Sequence, residues 1–353
     1  MKIVIALDSF KGCLSSEEVE DSFAQALHTR GMEVSTYPLS DGGEGMLHAF
    51  LSALHGQIVE TNIHDPLMRP LLAQYGISPD GTAIIESAKA CGITLMNQAE
   101  RDLTVATTYG VGELIVHAIG QGCRKFIIGL GGSGTSDNGI GMLQALADHF
   151  TANQSIDELP ECNIPKCHFI LASDVRNPLY GKEGAAYTFA PQKGANSHTI
   201  ELLEKRAIEF ARHSALKLKR DASLIPGAGA AGGLGYAFIQ YFEANIQSGA
   251  DLLLDLIQFD KEIAGSDLII TGEGHADRQT LMGKLPERVL RRAQRQHIPV
   301  WLIAGQASDT AELLSAGFDR VENLTPDNMP IEEAIQPQTA RRNIKRWVQY
   351  ADL

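Results

Sequence analysis

A strand that runs straight into a cluster of glycines and then into a helix leaves few folds open, and residues 125–147, KFIIGLGGSGTSDNGIGMLQALA, read that way. Phe126, Ile127, Ile128 and Leu130 supply a buried strand. Gly129, Gly131, Gly132, Gly134, Gly139 and Gly141 then alternate with Ser133, Thr135, Ser136, Asp137 and Asn138, and Met142, Leu143 and Leu146 open the apolar face of a helix. A turn of this kind directs unpaired backbone N–H groups at one point and forms an anion nest. Its glycines permit close approach and positive φ. The plain alternative is a tight turn that packs a helix onto a sheet. The number of glycines and small polar residues exceeds what a turn needs, which favours the nest.

The same strand–loop–helix rhythm recurs at both ends of the chain. Lys2 to Leu7 is an apolar run ending in Asp8-Ser9-Phe10-Lys11-Gly12. Ser15 and Glu18 have capping-box spacing, and Val19, Phe23 and Leu27 mark one helix face. Glu33 to Leu39 reads as a strand entering Ser40-Asp41-Gly42-Gly43-Glu44-Gly45. Near the other end, Ser266 to Ile270 runs into Thr271-Gly272-Glu273-Gly274-His275-Ala276-Asp277-Arg278-Gln279; strands over 299–304 and 318–324 follow. Between them, residues 58–100 change to strands and turns. The expected class is α/β: a doubly wound parallel sheet built from both chain termini (1–62 plus 266–353) with a second α/β domain (63–265) inserted. Such an insertion is expected to leave a cleft for a small molecule.

The formal net charge of −13 argues against nucleic acid or an anionic membrane as the main partner. No stretch approaches a membrane span, and the N-terminus lacks a signal peptide's long apolar run. Five cysteines, an odd number, include Cys162 and Cys167 beside His168, without the further ligands zinc needs. The expected setting is cytoplasmic, with reduced thiols. The stretch 226–235 contains G-x-G-x-x-G, but only Leu224 and Ile225 precede it. It reads as a second nest or a close-packed helix start rather than a dinucleotide fingerprint. There is no G-x-x-x-x-G-K-[ST].

Four loops combine acids with glycines: 8–12, 40–45, 133–139 and 271–279, with Asp174 and Lys193 beside them in the reading. Nests and lysines hold phosphate oxygens, while carboxylates hold Mg²⁺ or accept a hydroxyl proton, so the set suits phosphoryl transfer. A hydrolase is a rival, but neither G-x-S-x-G nor H-E-x-x-H occurs. An NAD-dependent oxidoreductase would rest on residues 227–232 alone, and a non-catalytic two-domain anion binder would look the same.

Taken in order, Asp8-Ser9-Phe10-Lys11-Gly12, Asp41-Gly42-Gly43-Glu44-Gly45, Thr108-Tyr109-Gly110, Gly129-Leu130-Gly131-Gly132-Ser133, Asn138-Gly139, Ala190-Pro191-Gln192-Lys193-Gly194-Ala195, the 226–235 stretch and Thr271-Gly272-Glu273-Gly274 resemble the bacterial glycerate kinase family of the glycerate 2-kinase type. His275 departs from the Arg expected in that loop, and Gly134-Thr135-Ser136 from Ala-Thr-Asn. The resemblance implies a flavodoxin-like sheet domain with an inserted α/β domain. It implies ATP-dependent phosphorylation of D-glycerate at the 2-hydroxyl, with Mg²⁺, in glyoxylate or sugar-acid degradation; 3-hydroxyl regiochemistry is the alternative. On this reading the catalytic candidates are Asp174, Asp41, Lys11, Asp8 and Lys193. Gly131, Gly132, Ser133, Thr135, Asp137, Gly229 and Gly232 are candidates for the nucleotide. Lys11, Ser9, His275, Arg278 and Lys284 are candidates for the substrate, and Glu273, Asp277 and Asp174 for the metal. A monomer or homodimer is expected.

Overall fold

The computed structural model describes residues 1–40, 43, 45–162 and 166–353. Asp41, Gly42 and Glu44 of the second glycine-rich loop therefore lie outside the described residues. Among those described, the strands are β1 (Lys2–Leu7), β2 (Glu33–Thr36), β3 (Gln57–His64), β4 (Pro70–Ile77), β5 (Thr82–Glu86), β6 (Lys125–Gly129), β7 (His168–Ala172), β8 (Asn245–Gln247), β9 (Leu268–Gly272), β10 (His275–Ala276), β11 (Val300–Ala304), β12 (Gln306–Ala307) and β13 (Arg320–Asn323). The chain divides into two compact units. The first comprises Met1–Asp41, His48–Ala53 and Ala250–Leu353, and the second Gly42–Leu47 and Leu54–Gly249. The sequence reading drew its divides at 62/63 and 265/266.

The first unit holds an all-parallel sheet in the order β13-β11-β9-β1-β2. Composition explains the order. Ile3 to Leu7, β9 and β11 are wholly apolar or small and wholly buried, as central parallel strands covered on both faces must be. β2 (EVST) and β13 (RVEN) carry polar residues and take the half-exposed edges. Helix Ser16–Thr29 starts with the expected capping box: Glu18 N donates to Ser15 Oγ at 3.2 Å and Ser15 N to Glu18 Oε2 at 2.9 Å. It buries Val19, Phe23 and Leu27.

The strand expected over 33–39 ends at Thr36; Tyr37 N still donates to Ile5 O at 2.9 Å and Leu39 N to Leu7 O at 3.3 Å, but side chains share these groups. Glu20 Oε1 accepts from Leu7 N at 2.8 Å, and Ser16 Oγ donates to Leu7 O at 2.5 Å while accepting from Leu39 N at 3.1 Å. Burial raises the Glu20 carboxyl well above the ordinary range.

The second unit carries a six-stranded mixed sheet, β3-β4-β5-β6-β7-β8, antiparallel across β3, β4 and β5 and parallel from β5 to β8. Phe126 and Phe169 stack at 4.8 Å between centroids in its core. Helices Tyr109–Gly120 and Ile140–Phe150 pack at Gly112, where a Cβ would lie 2.5 Å from Met142 O. The architecture is two-unit α/β with parallel and antiparallel pairing. No described helix is long and apolar enough to cross a membrane.

Candidate functional site

Parallel strands deliver their following loops to one edge of a sheet, and ligands collect where the strand order reverses. In the first unit that reversal falls between β1 and β9, with β2 to one side and β11 and β13 to the other. β1 runs into Asp8 and β9 into Glu273, and Asp8 N donates to Gly272 O at 3.0 Å. Gly272 is required there, since a Cβ would stand 1.8 Å from Ile303 O. Above these strand ends lies a cavity of about 690 Å³ lined by Asp8, Ser9, Lys11, Glu273, Lys284 and further residues from β11 onward. Asp8 is 4% exposed, and its Oδ1 accepts from Ser9 N at 2.8 Å. Ser9 Oγ is buried without a hydrogen-bond partner among the described residues.

The loop after β9 is tied by a chain of side chains. Glu273 Oε1 accepts from Thr280 Oγ1 at 2.7 Å, and Oε2 pairs with Lys284 Nζ at 3.0 Å. Asp277 caps the short helix Arg278–Leu281, accepting from Gln279 N at 2.7 Å, while its own N donates to Thr280 Oγ1 at 3.0 Å. Both carboxylates thus carry structural duties: Glu273 positions Lys284, and Asp277 starts a helix. His275 and Asp277 line the cavity, with His275 Nε2 4.0 Å from Asp277 Oδ2. Arg278 is exposed and is not part of the lining.

In the second unit the glycine loop after β6 is closed by its own chain. Lys193, 6% exposed, reaches from the 191–193 turn to donate to Ser133 Oγ at 3.0 Å and Thr135 O at 2.8 Å. Loss of water lowers its ammonium to about 8, opposed by Cys91 and Asp137. Burial pushes the neighbouring Cys91 thiol up to about 12. The Ser87 and Thr135 hydroxyls beside that thiol oppose the rise through hydrogen bonds to it, a smaller effect than burial. Asp137 is half-buried. Its Oδ2 accepts from Thr108 N at 2.7 Å, Thr108 Oγ1 at 2.9 Å and Gly141 N at 3.1 Å, and its Oδ1 from Gly139 N at 3.1 Å. A Cβ on Gly232 would lie 2.2 Å from Thr135 O, and one on Gly229 2.3 Å from Pro178 O. Both glycines meet protein. Gly131 and Gly132 retain exposure at the loop's tip, and Asp174 is exposed after β7.

Of the residues expected to act, Asp8, Ser9, Lys11, Glu273, His275, Asp277 and Lys284 line one cavity of the first unit. Ser133, Thr135, Asp137, Lys193, Gly229, Gly232 and Asp174 belong to the second unit. Among the described residues no three or more His, Cys, Asp or Glu side chains group to hold a metal ion. Mg²⁺ is commonly held by one or two carboxylates plus waters and substrate phosphates, and buried Asp8 in the cavity wall fits that demand. Ser87, Cys91 and Asn343 escaped the sequence reading. Asn343 had left a signal, a polar residue on the apolar stripe of Ala340, Ile344 and Val348.

The model of the glycerate kinase family matches residues 3–351. A glycerate kinase of Bacillus subtilis (strain 168) is 35% identical over 356 residues, 95% of this chain and 93% of that protein. A glycerate 2-kinase of Escherichia coli (strain K12) is 37% identical over 360 residues, again 95% and 93%. A crystal structure from Salmonella typhimurium LT2, reported under the name glycerate kinase 2, superposes with a TM-score of 0.82 at 36% identity, covering 99% of this chain and 96% of that one. With these matches running from end to end, the chain belongs to the glycerate kinase family and is an enzyme of the phosphotransferase kind.

Proposed function

We propose that this protein transfers the γ-phosphoryl group of ATP to the 2-hydroxyl of D-glycerate, giving 2-phospho-D-glycerate and ADP. The observation that carries the choice of hydroxyl is the 37% identity to a glycerate 2-kinase over 95% of the chain. The strand order of the first unit, read by position within that unit, is 2-1-3-4-5, which supports a flavodoxin-like, doubly wound sheet. All five cysteines are free thiols, which suits a cytoplasmic setting.

The reaction brings two anions together, a triphosphate tail and a carboxylate. Each unit has cationic groups for such a partner: Lys11 and Lys284 in the first, Lys193 behind the glycine loop in the second. Glu273 holds Lys284 in place, and Ser9 lines the same cavity. Asp8 is the buried carboxylate placed to hold Mg²⁺, and Asp174 and Asp41 remain candidates for the base that receives the hydroxyl proton. Held by Asp8, a bound Mg²⁺ would supply positive charge to offset that of the phosphoryl group in transfer. Incubation with ATP, Mg²⁺ and D-glycerate, read by phosphorus NMR, is expected to show ADP and 2-phosphoglycerate. A 3-phosphoglycerate product would overturn the regiochemistry, and absence of ADP the reaction.

A further inference from the structure

We infer that the cavity of the first unit is the nucleotide site, and that its wall over residues 324–343 takes the adenine base, with Asn343 reading the base edge. This rests on the proposed reaction only in taking ATP as the phosphoryl donor. It places the nucleotide in the other unit from the one the sequence suggested.

The lining divides by chain segment. The loops after β1 and β9 contribute Asp8, Ser9, Lys11, Glu273 and Lys284, a charged wall. The segment from Leu324 onward contributes Leu324, Pro326, Met329, Ile331 and Ile335, a mainly apolar wall that also includes Thr325 and Asp327. Glycerate, with three carbons and oxygen on each, has no group for the second wall. A nucleoside triphosphate has one for each: phosphates for the lysines and a flat heterocycle for the aliphatic side chains. The volume of about 690 Å³ lies within the range of sites that bury a drug-sized molecule. Ile331 is 58% and Ile335 43% exposed, so apolar surface in this wall is left uncovered by the chain itself.

Asn343 makes the assignment specific. It is 5% exposed and lines the cavity as well as an adjoining hollow beside Trp347. Its Nδ2 reaches only Met329 Sδ, at 3.6 Å, a weak acceptor. Its Oδ1 accepts no hydrogen bond among the described residues and is not among the buried unpartnered atoms, so it keeps contact with solvent and is open to a ligand. An Asn amide pairs bidentately with adenine, Oδ1 accepting from the exocyclic amine and Nδ2 donating to the adjacent ring nitrogen. Guanine offers acceptors at both corresponding places and would leave Oδ1 unpaired.

The test uses the full chain with Mg²⁺ and two variants, Asn343→Ala and the surface change Ile335→Asp, with KM measured separately for ATP and D-glycerate. The expected result is a rise of about ten-fold in KM for ATP in each, with KM for D-glycerate within about two-fold of the parent, and a narrowed ATP-over-GTP preference in Asn343→Ala. A rise confined to KM for D-glycerate, or no change in either constant, overturns the inference. Should Asn343→Ala fail to fold, photolabelling of the unaltered protein with 8-azido-ATP and peptide mapping decides. Label within 323–343 that excess ATP prevents supports the site, and label within 87–141 overturns it. Label within 323–343 from a protein that phosphorylates no glycerate would uphold the nucleotide site while overturning the proposed reaction.

Discussion

The glycine-rich loops of the two units look alike in sequence and are used differently. In the first unit Gly272 is pressed against Ile303, but Gly274, two residues on, has room: a Cβ there would make ordinary contact with Phe10 Cα at 3.5 Å. The loop borders a cavity, with Lys11 exposed and Lys284 half-buried in its wall. In the second unit, Gly139, Gly229, Gly232 and Gly233 are pressed against neighbouring chain, and the lysine that serves the loop is itself buried. A run of glycines therefore has two physical meanings, space kept for a ligand and space already filled by backbone. The chain uses both.

Substitutions should separate them, and the largest effect belongs to the filled loop. Gly232 has φ +64° and no room for a methyl group. Gly232→Ala is expected to lose about 3 kcal/mol or more in urea denaturation, from backbone strain and overpacking together. A loss under about 1 kcal/mol would mean that the 227–235 and 131–138 segments are not locked together.

Next in size is the buried lysine. Because burial holds Lys193 near 8 in the folded protein, against 10.5 for the free side chain, the unfolded chain binds the extra proton between those values. Stability should therefore climb as pH rises from about 8 to about 10.5, by something on the order of 2–3 kcal/mol relative to Lys193→Met, whose curve lacks that component. Parallel denaturation curves for the two proteins would contradict the buried placement. If the cation holds an anion in turnover, kcat/KM of the parent also falls as pH rises through about 8.

The ion pair in the first unit should matter less. Glu273→Gln keeps the acceptor for Thr280 but removes the counter-charge of Lys284, and about 1 kcal/mol of stability should go with it. Smallest of all is Gly274→Ala, expected within about 0.5 kcal/mol of the parent in thermal or urea unfolding. Its methyl group intrudes on the cavity side, so ligand affinity should weaken while stability holds. A large stability loss there would erase the contrast between the two loops.

Much of this was legible from residue order. The capping box at Ser15 and Glu18, the burial of Val19, Phe23 and Leu27, and the central place of residues 2–7 follow from local chemistry and short-range periodicity. The end of β2 at Thr36 did not, because it depends on Glu20 and Ser16, distant in sequence, entering the ladder at Leu7. Likewise a glycine's neighbours are tertiary facts. Nothing local to Gly232 says that Thr135, nearly a hundred positions away, lies against it. Asp137 shows the same limit. Nothing local to it says that its oxygens accept from Thr108 and from the start of the helix behind it.

The pairing of β1 with β9 joins Ile3 to Leu268. On the ribosome, β1 can meet β2 early, but its other neighbour, β9, follows only after more than two hundred and sixty further residues, when every strand of the inserted unit is already complete. At translation rates of about 5–20 residues per second, that wait lasts on the order of tens of seconds. One side of β1 thus lacks its strand through most of synthesis, and the inserted unit is the part of the molecule able to fold first.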